Sequence, residues 1–209
     1  MFRSIFNPDS ALMVTMTQIT DCIFLSLFWL LGCFPVVTAG VSTAALYDAV
    51  YHGFRKGDKH CWQRFIRSFR QNLKPGFLPS VLCLAAGTML LWVGIQLWNS
   101  AVYGQISWMF FAAAAFVMLL IVGIGSILFP MLSRFENSVG ALFANTFRLG
   151  MARLPLTLGL GFLNASAFFL CIRYVVPLFF LPALTALIST LFIEPMFKPY
   201  MPENEKDAA

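Results

Sequence analysis

The chain of 209 residues is 59% hydrophobic and only 11% charged, with a net charge of +5 at pH 7. Soluble globular domains are typically about 45–50% apolar and about 25% charged, so this composition excludes an ordinary water-soluble enzyme and a disordered chain. It predicts an all-α, polytopic membrane protein in which 1–209 forms a single helix bundle.

Five apolar runs are each long enough to cross the roughly 30 Å hydrocarbon core of a bilayer as a helix. They cover about 11–34, 76–98, 106–129, 154–172 and 178–197. Proline is expected to stop the first run at Pro35 and the third at Pro130, and Arg173 and Pro177 divide the last apolar stretch into two. The sequence therefore predicts about five spans and leaves open whether both of the last two cross fully.

Basic residues are distributed unevenly between the connections. Seven Lys or Arg fall in 35–75 and three in 131–153, whereas 99–105 carries no charge. Because cytoplasmic loops of membrane proteins are enriched in Lys and Arg, both basic connections are predicted to be cytoplasmic, with the N-terminus outside and the C-terminus inside. No motif of a nucleic-acid reader is present, so the positive charge predicts contact with a lipid bilayer and no nucleic-acid partner.

The first basic connection contains an amphipathic helix. On a helical wheel, Trp62, Phe65 and Phe69 share one narrow stripe and basic residues occupy the other side. The candidate docking helix is defined by Trp62, Arg64, Phe65, Arg67, Phe69 and Arg70. We expect it to lie in the inner headgroup layer, held by its aromatic face, or to dock on the bundle. A weaker amphipathic pattern covers 139–151.

Short motifs recur in the two halves of the chain and make an internal repeat possible. Phe-Pro occurs at 34–35 and again at 129–130, and Phe-x-x-x-Phe-Arg occurs at 65–70 and again at 143–148. In both halves the Phe-x-x-x-Phe-Arg motif is followed by a proline and a long apolar run. Chance similarity of short apolar motifs is the alternative.

Two carboxylates fall within predicted spans, where an ionisable group is costly and often functional. Asp21 lies in the first span, and Arg173, at the predicted outer side, is its candidate ion-pair partner. The pair would be structural, or Asp21 would couple transport to a proton or ion. Glu194 is a candidate carboxylate nearer the cytoplasmic end, where a solvated or snorkelling side chain is the simpler interpretation.

Catalytic and cofactor motifs are absent from the sequence. It has no His-Glu-x-x-His pair, no Gly-x-Ser-x-Gly elbow and no phosphate-binding GxxxxGK[ST] loop. The five cysteines show no CxxC spacing and predict neither a disulfide framework nor a zinc site. We therefore expect no catalytic residue, metal or cofactor, and a protein that is not an enzyme.

Three blocks of sequence resemble the bacterial YesL family of integral membrane proteins. They are Leu-Phe-Trp-Leu-Leu-Gly-Cys-Phe-Pro-Val-Val-Thr-Ala-Gly at 27–40, Thr-Ala-Ala-Leu-Tyr at 43–47 and Ser-Phe-Arg-Gln-Asn-Leu-Lys at 68–74. Members of that family have no assigned function and tend to be encoded near carbohydrate-uptake systems, often with ABC importers. The resemblance implies a multi-pass protein of the bacterial plasma membrane with a role in sugar uptake.

The sequence supports two candidate functions. The first is a non-enzymatic accessory subunit of a bacterial carbohydrate, or oligosaccharide, ABC importer, with that importer as membrane-protein partner. The small polar mass of the chain leaves no room for a soluble binding or ATPase domain, and short amphipathic helices can dock on partners. The alternative is a small transporter or channel that acts as a homo-oligomer with Asp21 in its pathway.

Overall fold

A computed structural model of the protein describes residues 11–58, 60–104, 106–135 and 138–200. Across these ranges the chain is helical and contains no strand. The helices are α1 (Ala11–Cys33), α2 (Ala39–Val50), α3 (Cys61–Val102), α4 (Trp108–Arg134), α5 (Val139–Ala152), α6 (Leu154–Arg173) and α7 (Leu181–Phe197). The prediction of an all-α membrane bundle is confirmed.

Four helices, α1, α3, α4 and α6, are long and apolar enough to cross a membrane. Most of their apolar surface faces outward, as expected of helices that contact lipid. The fifth predicted span corresponds to α7, which is apolar but has only 17 residues, or about 25 Å of helix. It is thus shorter than the hydrocarbon core unless the 3₁₀ turn Val176–Phe179 before it adds to its length.

The candidate docking helix and the second predicted span are one continuous element, α3. Its 42 residues correspond to about 63 Å, more than the 40–45 Å of a whole bilayer, so one end extends beyond the hydrocarbon. Pro75 and Pro79 lie inside this helix although each lacks an amide hydrogen. Packing helps to hold the helix together there, because Gly76 lies tightly against Val41 and Leu132.

The prediction that Pro130 ends the third span is wrong. Helix α4 continues through Pro130 to Arg134, and the adjoining residues Leu128, Met131 and Leu132 are buried in the core. The proposed repeat fails at the same points. Phe34-Pro35 follows the end of α1 whereas Phe129-Pro130 lies within α4, and Pro75 is inside α3 whereas Pro155 begins α6.

Helix α2 forms the centre of the bundle. Ten of its twelve residues are buried, and it packs against α1, α3, α4 and α7. The turn after Pro35 returns α2 along α1, where Ser42 Oγ donates to the Trp29 carbonyl oxygen at 3.0 Å and Trp29 Nε1 donates to Thr43 Oγ1 at 3.2 Å. The segment 35–75, predicted as a connection, therefore supplies the core; the side of the membrane on which it lies stays a prediction.

Helices α4 and α6 cross at very close range because both have glycine at the contact. A Cβ on Gly123 would strike the Thr157 backbone oxygen, and one on Gly161 would strike the Leu119 backbone oxygen. Such small residues let backbones approach in membrane bundles, where dispersion and polar contacts must replace the hydrophobic effect. This contact fixes α6 against the core.

Candidate functional site

The C-terminal half of α2 carries two polar pairs spaced four residues apart. Tyr47 and Tyr51 share one face, and Asp48 and His52 share the neighbouring face, because residues i and i+4 are adjacent on a helix. Beyond Val50 the helix widens into one π-helical turn, Tyr51–Arg55. Such turns often occur at functional sites. The two pairs organise a buried network of charged residues in the core.

Glu194 of α7 is the centre of the first half of this network. Tyr47 donates its hydroxyl to Glu194 Oε1 at 2.9 Å, and Arg134 Nη2 donates to the same oxygen at 3.0 Å. The guanidinium carbon of Arg134 also lies 3.8 Å from the centre of the Tyr51 ring, a cation–π geometry. One carboxylate oxygen thus joins α2, α4 and α7.

The prediction of a solvated or snorkelling Glu194 is wrong. Its side chain is only 4% exposed, and that of Arg134 only 10%. Glu194 Oε2 and Arg134 Nε are buried without a hydrogen-bond partner. An unsatisfied buried polar atom costs about 1–3 kcal/mol. The Glu194–Arg134 pair therefore carries this cost at two atoms.

Asp48 is the centre of the second half. Arg64 Nε of α3 donates to Asp48 Oδ2 at 3.0 Å, and His52 Nδ1 lies 3.1 Å from Asp48 Oδ1. Arg64 Nη2 also lies 3.1 Å from His52 Nε2. Since a guanidinium can only donate, this contact requires Nε2 to accept, which assigns the ring proton to Nδ1 on the side of Asp48.

Burial by itself would raise the pKa of the Asp48 carboxyl, but hydrogen bonds from His52 and Arg64, together with the positive charge of Arg64, outweigh it. The net effect is a pKa below the ordinary value, so the site is built to hold a carboxylate. The rings of Tyr51 and His52 meet edge to face at 5.2 Å and connect the Asp48 half to the Glu194 half.

The candidate docking helix divides between the core and the surface. Phe65 is buried against Phe28 and Phe69, with ring centroids 6.0 and 6.2 Å away, and Arg64 turns inward to Asp48. Phe65 and Phe69 of the aromatic stripe therefore dock on the bundle, whereas Trp62, predicted to share that stripe, does not. Trp62, Arg67 and Arg70 remain exposed and line a shallow groove of about 360 Å³.

The structure does not bring Asp21 and Arg173 together as an ion pair. Where the chain is described, the ion pairs are those of Asp48 with Arg64 and of Glu194 with Arg134. Asp21 is half-buried on α1, and the residue that follows it, Cys22, lines an apolar groove of about 340 Å³ between α1 and α7. The guanidinium of Arg173 instead lies 5.7 Å from the ring of Tyr174. The role of Asp21 stays a prediction.

Metal ligation has no support in the parts of the chain with a described structure, where no three His, Cys, Asp or Glu side chains are grouped to hold an ion. His52 is engaged with Asp48, and Cys61 Sγ donates to the Asp58 carbonyl oxygen at 3.2 Å.

The part of the α3–α4 hairpin that lies away from the core forms a second candidate surface, which is apolar. The two helices meet through Trp98, Trp108 and Phe111 at one end and through Gly94 and Met118 further along. Between them lies an open groove of about 430 Å³ lined by apolar side chains. Most residues of α3 beyond Cys83 are exposed or half-buried, so this hairpin projects an apolar face away from the core.

Comparison with known proteins places one part of the chain. Residues 22–93 match the model of a family described as "Protein of unknown function, DUF624". No curated protein and no solved structure matches the chain. The matched segment begins in α1 and ends in the outer half of α3, so it includes Asp48 and Arg64 but neither Arg134 nor Glu194. About a third of the chain, including its central helix, is therefore similar to this uncharacterised family.

Proposed function

We propose that the protein is a non-enzymatic integral membrane subunit of a bacterial carbohydrate ABC import system, resident in the plasma membrane with its N-terminus outside. The resemblance to the YesL family supports the link to carbohydrate uptake, and the three blocks that carry it all fall within the segment matched by the family of unknown function. A subunit of this apolar composition would act by contact with other membrane components.

The observation that carries the proposal is the open apolar face of the α3–α4 hairpin. Its groove is open and lined by apolar side chains, with Gly94 and Trp98 among the lining residues, and a transmembrane helix of a partner would pack against it. Nearby on α3, Gly87 has no atom within 4 Å of the position of a Cβ. Small residues on an outward face allow close approach of a second helix.

The test is copurification from the native host in mild detergent. A stoichiometric permease of a carbohydrate ABC importer, identified by mass spectrometry, would support the proposal. Gly87→Leu should release that permease, because the added side chain occupies the partner's position while meeting nothing in this chain. Gly140→Leu is the matched control, since Gly140 of α5 is exposed and equally free of neighbours. Retention of the permease by both variants would exclude the α3–α4 face.

The second candidate function is a homo-oligomeric transporter or channel. The position of Asp21 favours it, because this half-buried carboxylate lies on a spanning helix and has no described ion-pair partner. Recovery of a homo-oligomer alone would support this function. Asp21→Asn should then abolish transport in proteoliposomes while leaving expression and thermal stability unchanged; unchanged transport would remove Asp21 from the pathway.

A further inference from the structure

The first three turns of α3 present opposite faces of different character. Cys61, Phe65 and Ser68 are buried against α1 and α2. The opposite face consists of exposed or half-buried residues that line the shallow groove described above. They are Trp62, Gln63, Ile66, Arg67, Arg70 and Gln71. The indole of Trp62 is 48% exposed, which is high for so large an apolar ring next to two guanidinium groups.

The charges of this face are not neutralised by any carboxylate in the described part of the chain. Among the residues with described structure, the buried carboxylates Asp48 and Glu194 are occupied by Arg64 and Arg134. No described carboxylate lies within ion-pair distance of Arg67 or Arg70. The chemical character of the groove is therefore that of a site for an anion, bordered by one aromatic and one aliphatic side chain.

The position of the groove along α3 indicates the source of that anion. The helix becomes continuously apolar from Gly76, so Arg70 precedes the apolar segment by about 9 Å of helix and Arg67 by about 14 Å. A headgroup layer occupies about 5–7 Å on each side of the hydrocarbon, and tryptophan favours this interface. Membrane helices are usually tilted, which shortens both distances along the membrane normal, and long arginine side chains extend to the headgroups.

We propose that the groove formed by Trp62, Arg67 and Arg70 binds the phosphate headgroup of an anionic phospholipid from the adjacent leaflet. Arg67 and Arg70 bind the phosphate oxygens, for which the planar guanidinium is well suited. Trp62 and Ile66, which lie further from the apolar segment along α3, border the bound headgroup. This inference does not depend on the importer proposal, because it concerns a different face of α3.

The test compares binding of phosphatidylglycerol with binding of phosphatidylcholine to the full chain by native mass spectrometry. The wild-type chain should take up a first phosphatidylglycerol in preference to phosphatidylcholine. In R67Q/R70Q this preference should fall by about 30-fold, since each basic residue near a membrane surface contributes about 1 kcal/mol to anionic-lipid attraction. The conservative R67K/R70K variant should retain an intermediate preference, and inorganic phosphate should not displace the lipid.

The matched control is R148Q/R153Q, which removes the same charge from exposed positions on another part of the surface. It should keep the wild-type preference. An equal loss in both double variants would show attraction by net charge alone and would overturn the site. Unchanged preference in R67Q/R70Q would also overturn it, as would displacement by phosphate. Loss of a copurifying permease without loss of the lipid would assign the groove to a protein.

Discussion

The ion pair between Glu194 and Arg134 provides the sharpest test of the fold. Replacing Glu194 by leucine removes the only carboxylate paired with Arg134 in the described structure and leaves a guanidinium that is 10% exposed. Breaking one side of a buried pair typically costs about 3–5 kcal/mol, because the remaining charge stays in a low-dielectric environment. We therefore expect Glu194→Leu to lower the free energy of unfolding by about that amount.

The double variant Glu194→Leu, Arg134→Met should recover most of the loss. Apolar replacement of a complete buried pair is often neutral or stabilising, and here it also removes the unsatisfied Glu194 Oε2 and Arg134 Nε. Tyr47 would lose its acceptor in both variants, at about 1–3 kcal/mol, so recovery should be incomplete. The coupling energy from the cycle should exceed about 2 kcal/mol.

The assay is reversible unfolding of the purified protein in mixed micelles with increasing SDS, followed by helical circular dichroism. Tyr47→Phe is the control, because it removes one hydrogen bond to a charged acceptor and should cost about 1.5–3 kcal/mol without exposing a new charge. Additive single effects, or a loss below about 1 kcal/mol for Glu194→Leu, would refute the assignment of a buried and coupled pair.

Three further outcomes are expected. Gly123→Ala should lower thermal stability sharply, because its methyl group would strike the Thr157 backbone. Gly87→Ala, whose methyl group meets no atom within 4 Å, should raise stability by about 0.5–1 kcal/mol. Equal effects of the two substitutions would contradict the close α4–α6 contact. The stability that the Asp48 carboxylate provides should be fully present above the ordinary pKa of 3.8 and should be lost as pH falls through the lowered pKa of the folded state. Unfolding measured as a function of pH should show this loss in the wild-type chain and not in Asp48→Asn. In a cysteine-free background, an impermeant thiol reagent applied outside should modify Tyr103→Cys and not Lys56→Cys, and the reverse pattern would overturn the proposed orientation.

The spans were predictable because membrane insertion depends on local hydrophobic length. The limits of α1 and α6 agree with the predicted 11–34 and 154–172 to within a residue. Proline was a weaker guide, since it removes only one hydrogen bond and a well-packed helix can continue through it. Pro130 lies within the buried end of α4, so its neighbours supply the packing that an isolated sequence does not reveal.

The central helix could not be recognised from hydropathy. It has only twelve residues, too few for a span, and six of its ten buried residues are Gly, Ala, Ser or Asp. One signal was present in the i, i+4 pairs Tyr47/Tyr51 and Asp48/His52, which place four hydrogen-bonding side chains on adjoining faces. Their partners Arg64 and Arg134 lie 16 and 86 residues beyond Asp48 and cannot be assigned without the tertiary fold.

The buried pairs also change how charge should be counted in the topology argument. Arg64 and Arg134 were among the ten basic residues of the two predicted cytoplasmic connections, yet Arg134 is paired inside the bundle and the partly exposed Arg64 is paired with the buried Asp48. The other eight still contrast with the uncharged 99–105, so the orientation inferred from them is unchanged.

The arrangement of charges around α2 separates the role of the core from the role of the surface. Asp48 holds α2 to α3, and Glu194 holds α2 to both α4 and α7. A shift of any of these helices by one turn would leave a carboxylate and a guanidinium apart in a low-dielectric interior, at several kcal/mol each. We infer that the network fixes the register of these helices against one another. Its charged groups bind one another, and only Glu194 Oε2 and Arg134 Nε lack a hydrogen-bond partner in the described structure. Recognition of lipid or of a partner then falls to the outward faces of α3 and α4, where the described structure offers no binding partner to the exposed arginines or to the open apolar groove.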